Sequence, residues 1–275
     1  MKKATLILMS LVAMTFLFSS CHHTEPDVYN PKTKLVSVTC NSPYYNFQLS
    51  YNKDKIAQIV LGKDVYSVTY DGKLITEIVG VNDDEAARLT YSDGHIAKVE
   101  YYDDGELEYF QNFDYSEGIL SHISTFVAEK AIAKGKDFTH SSLFSHLFDA
   151  EDVNAAIKST GKDFGRSLDG SISLYYDGDN IVKTVSSYNT LLGENRTTRI
   201  YVYDSNVNPY YGLPYAIAGI KAYSPNNVVS LRTVVTQTGI EIGDDLDVYL
   251  YTYNDKGYPV TMLDEDDLYM FTYTK

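Results

Sequence analysis

The sequence predicts an all-β protein, one antiparallel meander of about 14 to 16 strands in a curled or barrel-like sheet. Tyrosine is frequent, with 26 tyrosines, 11 phenylalanines and no tryptophan among 275 residues, and it suits half-buried pleated surfaces. A tyrosine-centred unit recurs along the chain. Between its copies stand Asp-Gly and related dipeptides, which supply the positive φ angles of tight hairpins.

The recurring unit is a tyrosine that ends an alternating strand, then a turn, then apolar residues five and eight positions after the tyrosine. The clearest copies are Tyr51 with Ile56 and Ile59, Tyr70 with Ile75 and Ile78, Tyr91 with Ile96 and Val99, and Tyr115 with Leu120 and Ile123. These copies are 19, 21 and 24 residues apart, the length of two strands with short loops. We expect each copy to form one hairpin and successive hairpins to pair as neighbours.

Two features of this pattern constrain the sheet. Positions five and eight have opposite parity on a regular strand, so the first of them must lie in the turn or beside a bulge. A sheet with this many strands is too large to stay flat and open. It must curl strongly, split or close.

The repeat is interrupted from about residue 129 to residue 169, where the apolar spacing becomes helical. The two apolar stripes are Leu143, Phe144, Leu147 and Phe148, and Val153, Ala156 and Ile157. Asp149 could cap the second stripe and Gly161 could end it, so we predict two short helices. The insertion either covers an open edge or mouth of the sheet, or serves as a lid or partner-binding element.

The first 20 residues have two lysines, an apolar run and small residues before Cys21, the form of a secretory signal. This segment resembles a bacterial lipobox, which implies that Cys21 becomes the acylated N-terminus. Alternatives are an ordinary signal peptide cut nearby or an uncleaved anchor. Residues 21–34 would then be a tether, and residues 35–275 a single β-hairpin-repeat domain.

The net charge and the lack of known motifs disfavour several classes of function. The formal charge of −14 disfavours a nucleic-acid partner and an anionic membrane surface, so we expect membrane contact through the N-terminal lipid only. The sequence has no nucleotide loop, nucleophile elbow, calcium loop or zinc-ligand spacing. We therefore assign no catalytic residue, metal ligand or cofactor.

One segment offers aromatic and amide side chains for a ligand. Sugars stack on aromatic faces while their hydroxyls bond amides and acids. The candidate ligand-binding residues are Asn208, Tyr210, Tyr211, Tyr215, Asn226 and Asn227. Alternatively, the prolines and glycine of this segment shape an irregular connection, and its tyrosines cover the sheet.

The tyrosine units resemble the tyrosine-aspartate repeats of large bacterial β shells. Three stretches, residues 208–212 (NPYYG), 224–228 (SPNNV) and 251–259 (YTYNDKGYP), resemble an uncharacterised family of gut-bacterial lipoproteins with a porin-like fold. The resemblance implies a lipid-anchored protein in the outer membrane of a Gram-negative bacterium and brings no activity with it. Since the strands look nearer five to nine residues long, shorter than a tilted membrane-crossing strand requires, we expect a soluble domain rather than a pore.

Two functions remain open. The first is a non-catalytic envelope protein that binds a protein or glycan partner or has a structural role. The alternative is a secreted hydrolase that uses two carboxylates on glycans. A hydrolase would need carboxylates that converge in a cleft, at least one of them partly buried.

Overall fold

The computed structural model describes residues 33–41, 46–138, 141–147, 153–154, 168–190 and 193–274. The strands are β1 Leu35–Cys40, β2 Phe47–Asn52, β3 Lys55–Leu61, β4 Asp64–Asp71, β5 Leu74–Gly80, β6 Ala86–Ser92, β7 His95–Asp103, β8 Glu106–Ser116, β9 Ile119–Val127, β10 Leu168–Asp177, β11 Asn180–Thr190, β12 Gly193–Val207, β13 Asn226–Gln237, β14 Ile240–Tyr253, β15 Pro259–Asp264 and β16 Asp267–Tyr273. Each strand pairs with its chain neighbours, and β1 pairs antiparallel with β16. The predicted all-β meander is confirmed, and it closes into a 16-stranded barrel.

A bulge beside each repeat tyrosine explains the spacing of five and eight. Tyr51 pairs with Ile56, whereas Ser50 pairs with Gln58, so Ala57 is an additional residue on β3. Ile56 and Ile59 thereby face the same interior, where they are 3% and 1% exposed. The same register shift occurs at Tyr70, Tyr91, Tyr115, Tyr176, Tyr203 and Tyr253.

The hydroxyl of a repeat tyrosine bonds to the backbone of the preceding hairpin. Tyr70 Oη donates to the Ile56 carbonyl at 3.0 Å, and Tyr91 Oη donates to the Ile75 carbonyl at 2.8 Å. Those carbonyls belong to the residues next to the bulges, where the regular ladder is interrupted. Further bonds of this kind join Tyr51 to Leu35, Tyr203 to Ile181 and Tyr273 to Pro259. Tyrosine hydroxyls therefore link neighbouring hairpins at one end of the barrel.

This tyrosine end, defined by the turns that follow the repeat tyrosines, also holds the start of β1 and the end of β16. Its tight turns need left-handed backbone, as at Asp93 and Gly94, where φ is 53° and 84°. The opposite end has turns at residues 80–86, 103–106 and 264–267, which are rich in aspartate and glutamate. We call it the acidic end.

Two segments enter the barrel and pack against its interior wall. The first follows β9 and contains helices α1 (Glu129–Lys134) and α2 (Ser142–Leu147). The second, residues 208–225, enters from the tyrosine end with α3 (Tyr215–Ala218) and a 3-10 helix (Gly219–Tyr223). Helix α2 contacts α3, so the two segments meet inside. Together they form what we call the plug.

Aromatic rings hold the plug in place. The Phe144 ring centroid lies 5.1 Å from those of Tyr101 on β7 and Tyr109 on β8, in edge-to-face geometry. From the other segment, the Tyr215 ring lies 4.7 Å from Phe113 on β8. Edge-to-face aromatic pairs contribute about 0.5–1.5 kcal/mol beyond the area they bury.

Two expectations require correction. Helix α1 precedes the predicted apolar stripe, and α3 with its 3-10 extension was not predicted, because four or five residues are too few to show a helical period. Of the predicted second helix, only Val153 and Asn154 lie within the described residues, and Val153 is buried.

Strand length was also underestimated. Strands β8 and β10 to β14 have 10 to 15 residues instead of five to nine. Three acids, Asp244, Asp245 and Asp247, lie within β14. They can stay in a strand because this part of the sheet is exposed or only half-buried on both faces.

Candidate functional site

Most residues predicted to bind a ligand hold the plug together. Asn208 Nδ2 donates to the carbonyls of Lys221 and Ser224 at 2.8 and 2.7 Å, and Asn208 Oδ1 accepts from the backbone N–H of Tyr210. Tyr215 is 2% exposed, and its hydroxyl donates to Gln111 Oε1 at 2.8 Å. These polar atoms are therefore bonded within the chain.

The two asparagines that follow the plug, Asn226 and Asn227, are also hydrogen-bonded within the chain. Asn227 is 4% exposed, and its backbone N–H donates to Asp204 Oδ1 at 3.2 Å. Asn226 Nδ2 donates to the Asn206 carbonyl at 3.0 Å. The Tyr253 hydroxyl also donates to Asp204, and burial followed by this carboxylate raises the pKa of Tyr253. This network joins β12, β13 and β14 at the tyrosine end.

Tyr210 and Tyr211 are only half-buried. The ring of Tyr210 lies 6.2 Å from that of Phe47, and Lys221 Nζ lies 5.4 Å from the Tyr210 centroid. Of the six predicted residues, three are buried and three half-buried. Their polar groups mainly bind other parts of the chain, such as Ser224, Gln111 and Asp204.

A different site lies on the outer surface of β10, β11 and β12, and we call it the outer groove. It is an open depression with a volume of about 510 Å³. Alternate, outward-facing residues of the three strands line it. They are Ser171, Ser173, Tyr175, Lys183, Val185, Ser187, Glu194, Arg196 and Thr198.

Cations and an aromatic ring organise the outer groove. Lys183 Nζ lies 3.9 Å from the centroid of Tyr175, whose side chain is 45% exposed. Arg196 Nη2 contacts both carboxylate oxygens of Glu194, at 3.1 and 3.0 Å. Among the described contacts of Lys183, the ring of Tyr175 is the only charged or aromatic partner. The lining thus has two cations and one anion.

Hydroxyl groups fill the space between these charged side chains. Ser171 Oγ and Ser187 Oγ are 3.2 Å apart, and Ser173 Oγ is 3.3 Å from His122 Nδ1. Hydroxyls both donate and accept, so they can match ligand hydroxyls in either role. An exposed ring, a planar guanidinium, a carboxylate and several hydroxyls form a surface suited to a polar, ring-containing ligand.

Two carboxylates also approach each other on the inner face of β14 and β15. Burial and then the charge of Asp247 raise the pKa of Asp264, whereas burial and then Asp245 raise that of Asp247. Tyr249 pairs directly with Asp264, and its pKa is raised by burial and by both carboxylates. This group is the nearest approach, within the described part of the barrel, to the converging acids that a hydrolase requires.

The described residues form neither a metal site nor a membrane-spanning helix. No group of three or more His, Cys, Asp or Glu side chains there is arranged to hold a metal ion. None of the helices that the structure describes has the length and apolar character of a membrane span. Cys21, the expected acylation site, lies outside the described residues, whereas Cys40 is half-buried on β1.

Sequence reasoning missed the outer groove. Its signal is the alternation of hydroxyl or charged residues in Ser171-x-Ser173-x-Tyr175 and Glu194-x-Arg196-x-Thr198. The same alternation is typical of any solvated sheet face. Only the structure shows that these side chains line one depression.

Comparison with known proteins supports the fold only and assigns no function. No family model and no curated protein matches the chain. A porin-like protein from Bacteroides vulgatus ATCC 8482 is similar over 88% of this chain and 99% of its own, with a TM-score of 0.55 and 12% sequence identity. A porin-like protein from Bacteroides uniformis ATCC 8492 is similar over 88% of this chain and 96% of its own, with a TM-score of 0.49 and 13% identity. The chain thus shares a barrel architecture with the first of these structures.

Proposed function

We propose that the chain is a lipid-anchored, non-catalytic binding protein of the bacterial outer membrane, and that its outer groove binds a glycan. The lipobox-like sequence before Cys21 supports the anchor. The resemblance to gut-bacterial lipoproteins and to tyrosine-aspartate repeats supports a cell-envelope location, and the porin-like name of the Bacteroides vulgatus neighbour is in keeping with it. The composition of the outer groove is the observation that carries the binding function.

The filled lumen favours binding outside the barrel over transport through it. Phe138 and Phe144 stack at 4.2 Å, are 0% exposed and contact the interior wall. A closed sheet with a packed interior has no aqueous channel at this level. A ligand therefore reaches the outer surface more readily than the lumen.

The chemistry of the outer groove suits an acidic saccharide. Tyr175 offers a ring for stacking, and the serine and threonine hydroxyls match sugar hydroxyls. Lys183 and Arg196 outnumber Glu194, so a carboxylate on the sugar is favoured over a neutral hydroxyl. This local preference is opposite to the net charge of −14 of the whole chain.

A glycan array probed with the full chain tests the groove. We expect Tyr175→Ala and Lys183→Ala to weaken binding roughly tenfold, about 1.4 kcal/mol, and Lys183→Ala to affect acidic glycans most. Tyr102→Ala is the matched control, since Tyr102 also carries a cation, with Arg88 4.4 Å from its ring. Equal losses of glycan binding in Tyr102→Ala and Tyr175→Ala would contradict binding at the outer groove.

The loop predicted from the sequence enters the same experiment. Tyr210→Ala and Tyr211→Ala test whether its half-buried rings bind the glycan instead. We expect both variants to bind as the unchanged protein does. A loss confined to these two variants would move the site from the groove to the loop.

Fractionation of cells tests the anchor separately. We expect the Cys21→Ser chain to leave the membrane fraction, because it cannot be acylated, and the Cys40→Ser chain to stay there. Membrane association of both variants would contradict lipid anchoring through Cys21. The result does not depend on what the groove binds.

The carboxylates of β14 and β15 favour a second candidate function, a secreted hydrolase acting on glycans. Burial and then the charge of Asp247 raise the pKa of Asp264, as a partner carboxylate does for the acid of a glycosidase. Incubation of the protein with the glycans it binds, followed by product analysis, tests this candidate. If the unchanged protein hydrolyses a glycan and each of Asp247→Asn and Asp264→Asn abolishes that activity, the hydrolase replaces the non-catalytic proposal.

A further inference from the structure

The outer surface of the barrel is different on its two sides. Along β2 to β6, the exposed outward positions are polar, and we call this side the polar wall. Its members include Gln48, Ser50, Gln58, Ser67, Arg88 and Thr90. Such a surface is usual for a protein in water.

The exposed outward side chains of β14 to β16, together with Ile200 and Val202 on β12, are mainly apolar, and we call this side the apolar wall. Val202, Leu246, Val248, Leu250, Leu263 and Leu268 are 37% to 61% exposed. Leu250 pairs with Leu263, and Leu263 pairs with Leu268, so one apolar row crosses three strands. Val248 and Val202 flank Ser230 in the next row.

The apolar wall is large enough for the core of a protein interface. At about 4.8 Å per strand and 3.3 Å per residue, β12 to β14 beside residues 246–250 and the parts of β15 and β16 beside Leu250 cover roughly 300 Å². Patches of this size mark interaction surfaces. A standard interface buries about 800 Å² per partner, with an apolar core and a polar rim. The exposed Arg232–Asp244 ion pair, at 2.6 Å, would belong to that rim.

We propose that the apolar wall is the contact surface between two copies of this chain. The wall runs along the side of the barrel, whereas the start of β1 lies at the tyrosine end. A two-fold axis parallel to the barrel would join two walls and keep both N-termini at one end. This geometry suits two copies tethered to one membrane, an argument that rests on the proposed anchoring.

The strand edge beside the apolar wall argues for contact through the face of the sheet. Between Ile240 and Val248, β14 has no partner among the described strands other than β13. This edge carries Glu241, Asp245 and Asp247 and a bulge next to Thr236. Acidic edges and bulges oppose pairing with an identical strand. The apolar outer side chains meet no such repulsion.

Cysteine crosslinking in intact cells tests the proposal. The full chain would carry Cys40→Ser with either Leu250→Cys on the apolar wall or Ser67→Cys on the polar wall, and a bismaleimide would be added. We expect Leu250→Cys to give several-fold more of a product of two 31.0 kDa chains, less the removed leader, than Ser67→Cys gives. Adding Leu246→Lys should remove this product, whereas adding Gln58→Lys should leave it unchanged.

Three results would overturn the proposal. They are equal crosslinking from both walls, a product whose mass includes another protein, and no crosslinked product from Leu250→Cys. Repeating the experiment with Cys21→Ser separates the inference from the proposed anchor. Crosslinking that persists in the Cys21→Ser chain supports contact between two copies. It does not bear on the proposal that the outer groove binds a glycan.

Discussion

At the residue scale, the repeat tyrosine joins two kinds of interaction. Its ring covers the hairpin interior, and its hydroxyl satisfies a carbonyl that the bulge removes from the regular ladder. Tyr70 illustrates this, because burial raises its pKa to about 12 and its hydroxyl donates to the Ile56 carbonyl. Phenylalanine could supply only the ring, which explains why tyrosine outnumbers it in this sequence.

We therefore expect Tyr70→Phe to destabilise the barrel by about 1–2 kcal/mol, because it leaves a buried carbonyl without its donor. Tyr175→Phe is the control, since that hydroxyl lies on the outer surface. Urea unfolding of both variants measures the difference. Equal midpoints would show that the hydroxyl bond contributes nothing to stability.

Glu108 is a second residue with a defined energetic role. It is 2% exposed, Oε2 has no hydrogen-bond partner in the described part of the chain, and burial raises its pKa despite Lys134 Nζ at 3.9 Å. A raised pKa in the folded state means that folding favours the protonated form. Stability from this group is present below the unfolded pKa and is lost as pH rises through the folded pKa.

Glu108→Gln removes that ionisation while keeping the shape. We expect the variant to exceed the unchanged protein in free energy of unfolding by roughly 1 kcal/mol at pH 7.5, and the difference to disappear near pH 4. Urea unfolding at the two pH values measures it. A difference that is largest at pH 4 would contradict the assigned sign.

At the element scale, the predictable parts are those with a long, repeated pattern. Tyr51, the turn and Ile56 with Ile59 specify one hairpin, and several copies specify neighbouring hairpins. The second plug segment escaped prediction because α3 spans only Tyr215–Ala218 and is fixed by contacts with distant strands. The outer groove escaped prediction because outward polar residues alternate in the same way whether or not their side chains line a depression.

The second plug segment depends on Asn208, which bonds to both Lys221 and Ser224 across the loop. Asn208→Ala should destabilise the protein by about 2–4 kcal/mol, since it leaves buried backbone groups unpaired. Asn189→Ala, at an exposed position on β11, should change stability by less than about 0.5 kcal/mol. Similar urea midpoints for the two variants would show that the segment does not need this bond.

At the scale of the whole molecule, charge is distributed unevenly along the barrel. The acidic end carries Asp83, Asp84 and Glu85 in one turn and Asp264 to Asp267 in another, whereas Lys34 and Asp54 form an ion pair at the tyrosine end. Like charges repel more strongly in the compact state than in the unfolded chain. With a net charge of −14, the folded barrel therefore bears an electrostatic cost that salt can screen.

Raising the NaCl concentration from about 0.01 to 1 M shortens the Debye length from roughly 30 to 3 Å. We expect the melting temperature to rise with salt, and Glu265→Gln with Asp266→Asn to reduce that rise more than Asp177→Asn with Asp179→Asn at the tyrosine end. KCl should act as NaCl does, because screening depends on ionic strength and not on the cation. A melting temperature that falls with salt, or an equal effect of the two double variants, would show that repulsion at the acidic end does not limit the stability of the barrel.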